Sequence, residues 1–292
     1  MIEKSRGLGA DQVILDLEDA VAPEQKVLAR TTAIAELARG GWDGRIVSVR
    51  VNASPTEWGG ADLESLEGAG AAIDTVIVPK VESASDVTEL GERLSGWPGS
   101  PRLEVLIETA AGLDDVRALA RASGAVETLI LGPLDLAASL GIDALGAGPA
   151  GDDLGGLGAA IRYHVLVAAR AAGIAAIDGP FTAIDDPAGL ERSAATAAGA
   201  GFDGKWVVHP AQIEVVNEVF TPSPAALERA RATIEAMDDA ALRGIGAVRA
   251  EGVMLDEASR RVAEQILTRA SAGGVGTQGG LNPDHERTEE ER

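Results

Sequence analysis

Short apolar runs recur along the chain, and each closes in charged, proline or turn residues. They are Val13–Val21, Ile46–Asn52, Thr75–Val81, Leu103–Ile107, Thr128–Leu131, Gly173–Pro180 and Phe202–Pro210. Most are continuous in Val, Ile and Leu rather than alternating with polar residues, which is the pattern of strands buried on both faces. Between them lie stretches with helical spacing: Glu24–Arg39, a short one around Asp62–Glu67, Ser85–Leu94, the Ala/Leu/Arg segment between Glu108 and Asp135, Leu157–Ala172, Ala188–Ala200 and Ala211–Val219. Regular alternation of strand and helix predicts a parallel sheet.

The ends of the runs carry the chemistry: Glu18, Asp19, Arg50, Lys80, Glu108, Asp135, Asp178 and His209. In a parallel sheet these ends share one face, which is where a (β/α)₈ barrel keeps its active site. A TIM barrel is therefore the expected fold. A doubly wound open sheet competes, but no GxGxxG follows the first run. Seven runs do not close an eight-stranded barrel, and residues 1–10 read as the tail of a helix. The expectation is a barrel lacking its first strand, with that strand encoded upstream of Met1. The exposed edges this would leave on Val13–Glu18 and Phe202–His209 predict a chain that is poorly soluble or inactive as it stands.

From Thr221 the character changes. Pro222 and Pro224 precede a helix at Ala225–Leu242; a turn-rich segment, Gly244–Arg261, presents Asp256; a last helix spans Glu257–Ala270. The expected organisation is a barrel domain over residues 1–220, a helical extension or lid over 221–271, and a disordered tail over 272–292. The extension is too small for a core of its own and must pack on its own barrel or on a neighbouring subunit. The tail lacks apolar content.

Composition narrows the function classes. The 292 residues are 46% hydrophobic and only 3% aromatic, enough for a large aliphatic core. The absence of cysteine excludes disulfides and thiol chemistry and suits a cytoplasmic protein. A net charge of −21 disfavours nucleic acid and anionic membranes as partners. A halophilic source and a GC-rich genome both account for the acid excess. No run approaches the roughly 20 apolar residues of a membrane span, and the N-terminus has no signal-peptide core.

Glu108 and Asp135 end neighbouring runs, so the sheet can bring them together. Paired carboxylates suit a hard divalent cation such as Mg²⁺, which takes one or two of them and leaves the rest of its shell to water and substrate. The alternative is that both are caps at helix starts. Lys80 is expected to pair with Glu18 or Glu82, Asp16 to be a buried acid bonded to nearby backbone, and Asp178 to be a pocket wall or helix cap. His209 is expected to be a hydrogen-bonded strand-end residue, Trp206 a core residue, and Gly146–Gly158 a flexible loop that is not a phosphate cradle.

VILDLEDAV, SVRVN, VIVPKVES, LIETAAGL, LGPLDLAASLG, AIDGPF and GFDGKWVVHPAQIEVVNEVFTPS, in this order and spacing, resemble the citrate lyase β-subunit / malyl-CoA lyase family of HpcH/HpaI-type aldolases. The resemblance runs from residue 2 to about residue 270. It implies a (β/α)₈ barrel with a C-terminal extension, a homotrimer or homohexamer, Mg²⁺, and acyl-CoA thioesters with small 2-oxo acids as substrates. It also implies that Glu108 and Asp135 are the metal ligands, with Glu108 also facing substrate. Arg50 would hold the carboxylate and carbonyl oxygens of the 2-oxo acid, and Glu18 and Asp19 would hold metal-bound waters. The family's first strand, of the type LFVPG, has no counterpart here. MLDEAS resembles the family's MIDxP segment, with Asp256 at the acid and the proline replaced. The implied reaction cleaves or forms a carbon–carbon bond between an acyl-CoA and glyoxylate, pyruvate or oxaloacetate. Arg50 and Asp256 are the catalytic candidates, Asp256 as the group that moves a proton. The alternatives are malate-synthase-like or malyl-CoA thioesterase activity, and a non-catalytic subunit that works only within a larger complex.

Overall fold

The structure, a computed structural model, describes residues 2–42, 44–69, 72–143, 156–250 and 252–273. The chain divides into two compact units, Met1–Phe220 and Thr221–Arg292.

In the first unit seven strands form one sheet: β1 (Gln12–Asp16), β2 (Ile46–Arg50), β3 (Thr75–Val78), β4 (Arg102–Ile107), β5 (Val126–Leu131), β6 (Ala175–Asp178) and β7 (Gly204–Lys205). Every strand pairs in parallel with its neighbour in sequence. Successive side chains point to opposite faces. Leu103, Val105 and Ile107 of β4 therefore join the large core beneath the helices, while Leu106 joins Ile77 and Ile130 on the other face, with Ile14, Ile177 and Trp206 packed against them. In a flat sheet β2 and β7 would lie about 24 Å apart. Instead the Arg50 guanidinium sits 5.3 Å from the Trp206 ring, and Asn217 Nδ2 donates to the Gly9 carbonyl just ahead of β1 at 2.8 Å. The sheet is curled into a half-barrel, and its concave face is filled by side chains. Near the strand N-termini that filling is polar: Gln12 Nε2 donates to Ser48 Oγ and to Glu104 Oε1, and Ser48 Oγ meets Thr75 Oγ1 at 2.6 Å.

The apolar runs extend past the ladders they feed. β1 stops at Asp16 because its carboxylate accepts from the Glu18 amide at 2.9 Å and the Ala20 amide at 3.3 Å, which turns the chain. β7 shrinks to two residues. Trp206 N still donates to the Asp178 carbonyl, and the chain then leaves for a 3₁₀ turn at Pro210–Gln212. The segment between Glu108 and Asp135 is not one helix but two short ones, Ala110–Asp114 and Val116–Leu119. The helices Lys26–Arg39, Ala84–Ser95, Gly158–Ala172 and Pro187–Ala200 match their expected spans within two residues, while the one expected around Asp62–Glu67 begins three residues earlier, at Gly59.

The second unit holds a helix at Pro224–Leu242, a hairpin of Val248–Ala250 and Val253–Leu255 within the turn-rich segment, and a helix at Glu257–Gly273. Ser223 caps the first helix through the Ala226 amide. The expected disordered tail lies outside the described residues from residue 274 onward, as does the glycine-rich loop up to Gly155. Among the described residues no helix is long and apolar enough to cross a membrane.

Candidate active site

Glu108 directly follows β4 and is 2% exposed. The Lys80 amide donates to its Oε1 at 2.9 Å. Its other side is bounded by Gly132, which follows β5: a Cβ there would lie 2.6 Å from Glu108 Cβ and 2.7 Å from Oε2, so only glycine admits this side chain. Pro133 then opens a helix, Pro133–Ser139, and places Asp135 in its first turn rather than in a loop past the strand. Neither acid is a cap. Thr109 caps the helix after Glu108, accepting from the Gly112 amide at 3.0 Å, and no side chain caps the helix bearing Asp135. Burial pushes the Glu108 carboxyl up to about 8, and the charges of Asp135 and Glu18 push the same way. Glu108 and Asp135 share a cavity of about 450 Å³ with Thr56, Lys80, Thr109 and Ser139. Among the described residues no three or more His, Cys, Asp or Glu side chains are arranged to hold a metal. A pair of hard oxygen donors beside open cavity is nonetheless the donor set Mg²⁺ uses, with water and substrate completing its shell.

Beside this pair lies a network of ions. Arg50, at the end of β2, grips Asp16 with two prongs, Nε to Oδ1 at 2.7 Å and Nη2 to Oδ2 at 2.6 Å. Its Nη1 lies 3.0 Å from Glu18 Oε2. Lys80 Nζ donates to Glu18 Oε1 at 2.5 Å and to Asp19 Oδ2 at 2.9 Å. Burial works against charge on Arg50 and on Lys80, but the paired carboxylates outweigh it and raise both pKa values. Burial likewise opposes charge on Asp19, and Lys80 outweighs it, so that carboxyl is held low. A lysine held so firmly cationic is unsuited to Schiff-base chemistry, which needs the free amine.

Several contributors were not foreseen. Lys26 reads as a helix-surface lysine, yet its ammonium is buried against the Leu17 carbonyl at 3.0 Å, the Glu18 carbonyl at 2.8 Å and Asn52 Oδ1 at 2.6 Å. Asn52 in turn donates to Asp62, which also accepts from Arg30. This tie fixes the backbone beneath Glu18. Asp178 is neither a pocket wall nor a helix cap. It is buried at the end of β6, taking Lys205 Nζ at 2.6 Å and Arg162 Nε at 3.0 Å. Lys205 also holds the Gly179 carbonyl at 2.7 Å.

His209 accepts from the Ala211 amide through Nδ1 at 3.2 Å and starts the 3₁₀ turn, as a strand-end residue does. Trp206 packs on the concave cluster and takes Arg50 against its ring. Asp256 belongs to the second unit, where its Oδ1 accepts from Ser259 N at 3.0 Å and from Ser259 Oγ at 3.1 Å at the start of the last helix. Those bonds lower its carboxyl pKa. The structure thus brings Glu18, Asp19, Arg50, Lys80, Glu108 and Asp135 to one end of the sheet and gives Asp256 a local capping bond.

Known proteins share this chain over most of its length. Residues 1–210 match the HpcH/HpaI aldolase/citrate lyase family. An L-malyl-CoA/beta-methylmalyl-CoA lyase of Rhodobacter capsulatus is 36% identical over 292 residues, covering 94% of this chain and 92% of that protein. A (3S)-malyl-CoA thioesterase of Cereibacter sphaeroides is 37% identical over 278 residues, covering 93% and 90%. The crystal structure of CitE from Mycobacterium tuberculosis in complex with magnesium, acetoacetate and coenzyme A aligns with a TM-score of 0.72 at 35% identity, over 90% of this chain and 91% of that one. The order of the strands, the acids at their ends and these likenesses place the chain in one group: it belongs to the HpcH/HpaI aldolase/citrate lyase family.

Proposed function

We propose that this chain is a Mg²⁺-dependent CoA-ester lyase that cleaves or forms the carbon–carbon bond between an acyl-CoA and a small 2-oxo acid. The observation that carries the reading is the Glu108–Asp135 pair, two carboxylates at neighbouring strand ends, one of them buried, repelling each other across a cavity. A divalent cation relieves that repulsion. The relatives named for malyl-CoA chemistry, and the CitE structure holding magnesium and coenzyme A, support the same reading. On this proposal the curled sheet belongs to a (β/α)₈ barrel, and the protein works as a homotrimer or homohexamer.

Glu108 and Asp135 would hold the ion, and Glu18 and Asp19 its waters. Bound there, Mg²⁺ supplies Lewis-acid polarisation of the 2-oxo acid carbonyl. Arg50 has one hydrogen left on each Nη beyond its contacts with Asp16 and Glu18, and these pair with the substrate carboxylate. Asp16 and Trp206 hold the guanidinium in place for that contact. Asp256 is the proposed proton-moving group, and its low pKa keeps it in the base form at neutral pH.

A second reading is favoured by the thioesterase relative, which matches about as well as the lyase. One assay separates the two. Purified protein with Mg²⁺, acetyl-CoA and glyoxylate or pyruvate is followed for a new CoA ester and for free CoA. A lyase accumulates the ester, and a thioesterase releases CoA from it. If neither product forms, and malyl-CoA is not cleaved in the reverse direction, the enzymatic reading is wrong.

A further inference from the structure

Among the described residues only two that are not glycine adopt a left-handed backbone, Ser100 and Lys80, the latter at φ 53°. Side-chain-bearing L-residues avoid this region because Cβ crowds the following carbonyl, so contacts around such a residue must hold it there. At Lys80 those contacts run in two directions. The amide N–H goes to Glu108 Oε1 at 2.9 Å, and the ammonium goes to Glu18 and Asp19 at 2.5 and 2.9 Å. Lys80 also lines the cavity.

We infer that Lys80 is a positioning residue: its left-handed backbone orients the Glu108 carboxylate toward the cation, while its ammonium separately holds Glu18 and Asp19. The inference rests on the Mg²⁺ reading of Glu108 and Asp135. Glu108 is confined from two sides, by the Lys80 amide on Oε1 and by Gly132 against Oε2. One oxygen is committed to a neutral donor and the other is left for a ligand. A neutral donor matters here, because it orients the carboxylate without cancelling the charge that draws a cation. The ammonium is hydrogen-bonded to Glu18 and Asp19 instead, and reaches Glu108 only through space. Returning residue 80 to an extended backbone would take the N–H off Oε1, whatever side chain it carried.

Backbone and ammonium are separable by substitution. Lys80→Gly and Lys80→Asn both lose the ammonium but accept a positive φ, whereas Lys80→Val loses the ammonium and resists it. Mg²⁺ binding to the purified full chain, measured by titration calorimetry, is the readout. Lys80→Gly and Lys80→Asn, which keep the amide in place and lose a nearby positive charge, should bind Mg²⁺ at least as tightly as wild type, and Lys80→Val should bind about 10–100-fold more weakly than Lys80→Gly, the usual cost of removing a group that orients a metal ligand. All three should raise KM for the 2-oxo acid. Lys80→Ala guards against misfolding of the valine variant: its affinity should fall between those of Lys80→Gly and Lys80→Val, and it should melt below Lys80→Gly, the reverse of the ranking inside an ordinary helix or strand. The inference is overturned if Lys80→Val binds Mg²⁺ as tightly as Lys80→Gly, or if Lys80→Ala melts above Lys80→Gly. Glu108→Ala separates the two levels. If it keeps Mg²⁺ affinity, the Mg²⁺ reading falls and takes the positioning role with it. If it loses affinity while Lys80→Val binds as tightly as Lys80→Gly, only the positioning role falls.

Discussion

Two buried glutamates stand on β4 and face the same concave side, Glu104 near its start and Glu108 just past its end. Burial raises both carboxyls, Glu104 from 4.5 to about 6 and Glu108 to about 8. What differs is their company. Glu104 lies among Gln12 and Thr75, whose hydrogen bonds offset part of the cost of burial. Glu108 faces Asp135 and Glu18, which add to that cost, and the Lys80 charge and amide offset it only in part. Burial alone makes a reluctant acid. Burial beside other acids makes a place that a cation improves, and the two ends of one strand separate these cases.

The largest expected effect tests that difference directly. Glu108→Ala and Asp135→Ala should each abolish Mg²⁺ binding and turnover with the fold intact, while Glu104→Gln should leave both unchanged. Calorimetric titration with Mg²⁺ decides it, and Mg²⁺ binding lost in Glu104→Gln would break the contrast. Next in size, Arg50→Lys should lower kcat/KM about 10–100-fold, because hydrogen bonds to charged groups are worth about 1.5–3 kcal/mol and an ammonium cannot reproduce the fork. Steady-state kinetics at saturating Mg²⁺ give the number, and near wild-type kcat/KM would remove Arg50 from the substrate site.

A third prediction concerns pH. Glu104 keeps its proton up to about 6 when folded and gives it up near 4.5 when unfolded. The folded state therefore holds more protons within that window. Its contribution to stability is fully present below 4.5 and falls by about 2 kcal/mol as pH rises to about 6. Urea unfolding at pH 4.5 and pH 7 should show a loss of stability that is smaller in Glu104→Gln than in the wild type, with Glu108 adding its own loss in both. If the two profiles superimpose, Glu104 does not titrate as its surroundings imply. The smallest expected effect is ionic. With a net charge of −21, the chain repels an anionic CoA ester, so kcat/KM should rise severalfold as salt increases and screens that repulsion. A fall with salt would point to a local basic path for the ester.

What could be read from the sequence was whatever sits where an apolar run stops. Glu108 and Asp135 follow Leu103–Ile107 and Thr128–Leu131, and parallel pairing of β4 with β5 brings those ends together. Sequential parallel order was legible for the same reason, since each run is separated from the next by a helix-sized segment. Residues whose role depends on a distant partner were not legible. Lys26 looks like any lysine on a helix until Asn52 and two carbonyls close around it. Glu104 was hidden inside an apolar run because its partners, Gln12 and Thr75, come from β1 and β3. Asp178 was misread because the ions that bury it lie on the preceding helix and the following strand. The length of β7 was overestimated because apolar character continues through Val208, after the ladder has ended.

The neighbour-to-neighbour order of the sheet bears on how the chain is made. Each strand pairs with the one synthesised just before it. No pairing waits for a segment still inside the ribosome, and N-terminal parts are free to fold first during synthesis. Once the helix Pro133–Ser139 has emerged, Asp16, Glu18, Arg50, Lys80, Glu108 and Asp135 are all outside, and no later residue is needed to bring Glu108 beside Asp135. The acidic pair can then assemble, and meet a metal ion, while the rest of the chain is still being made.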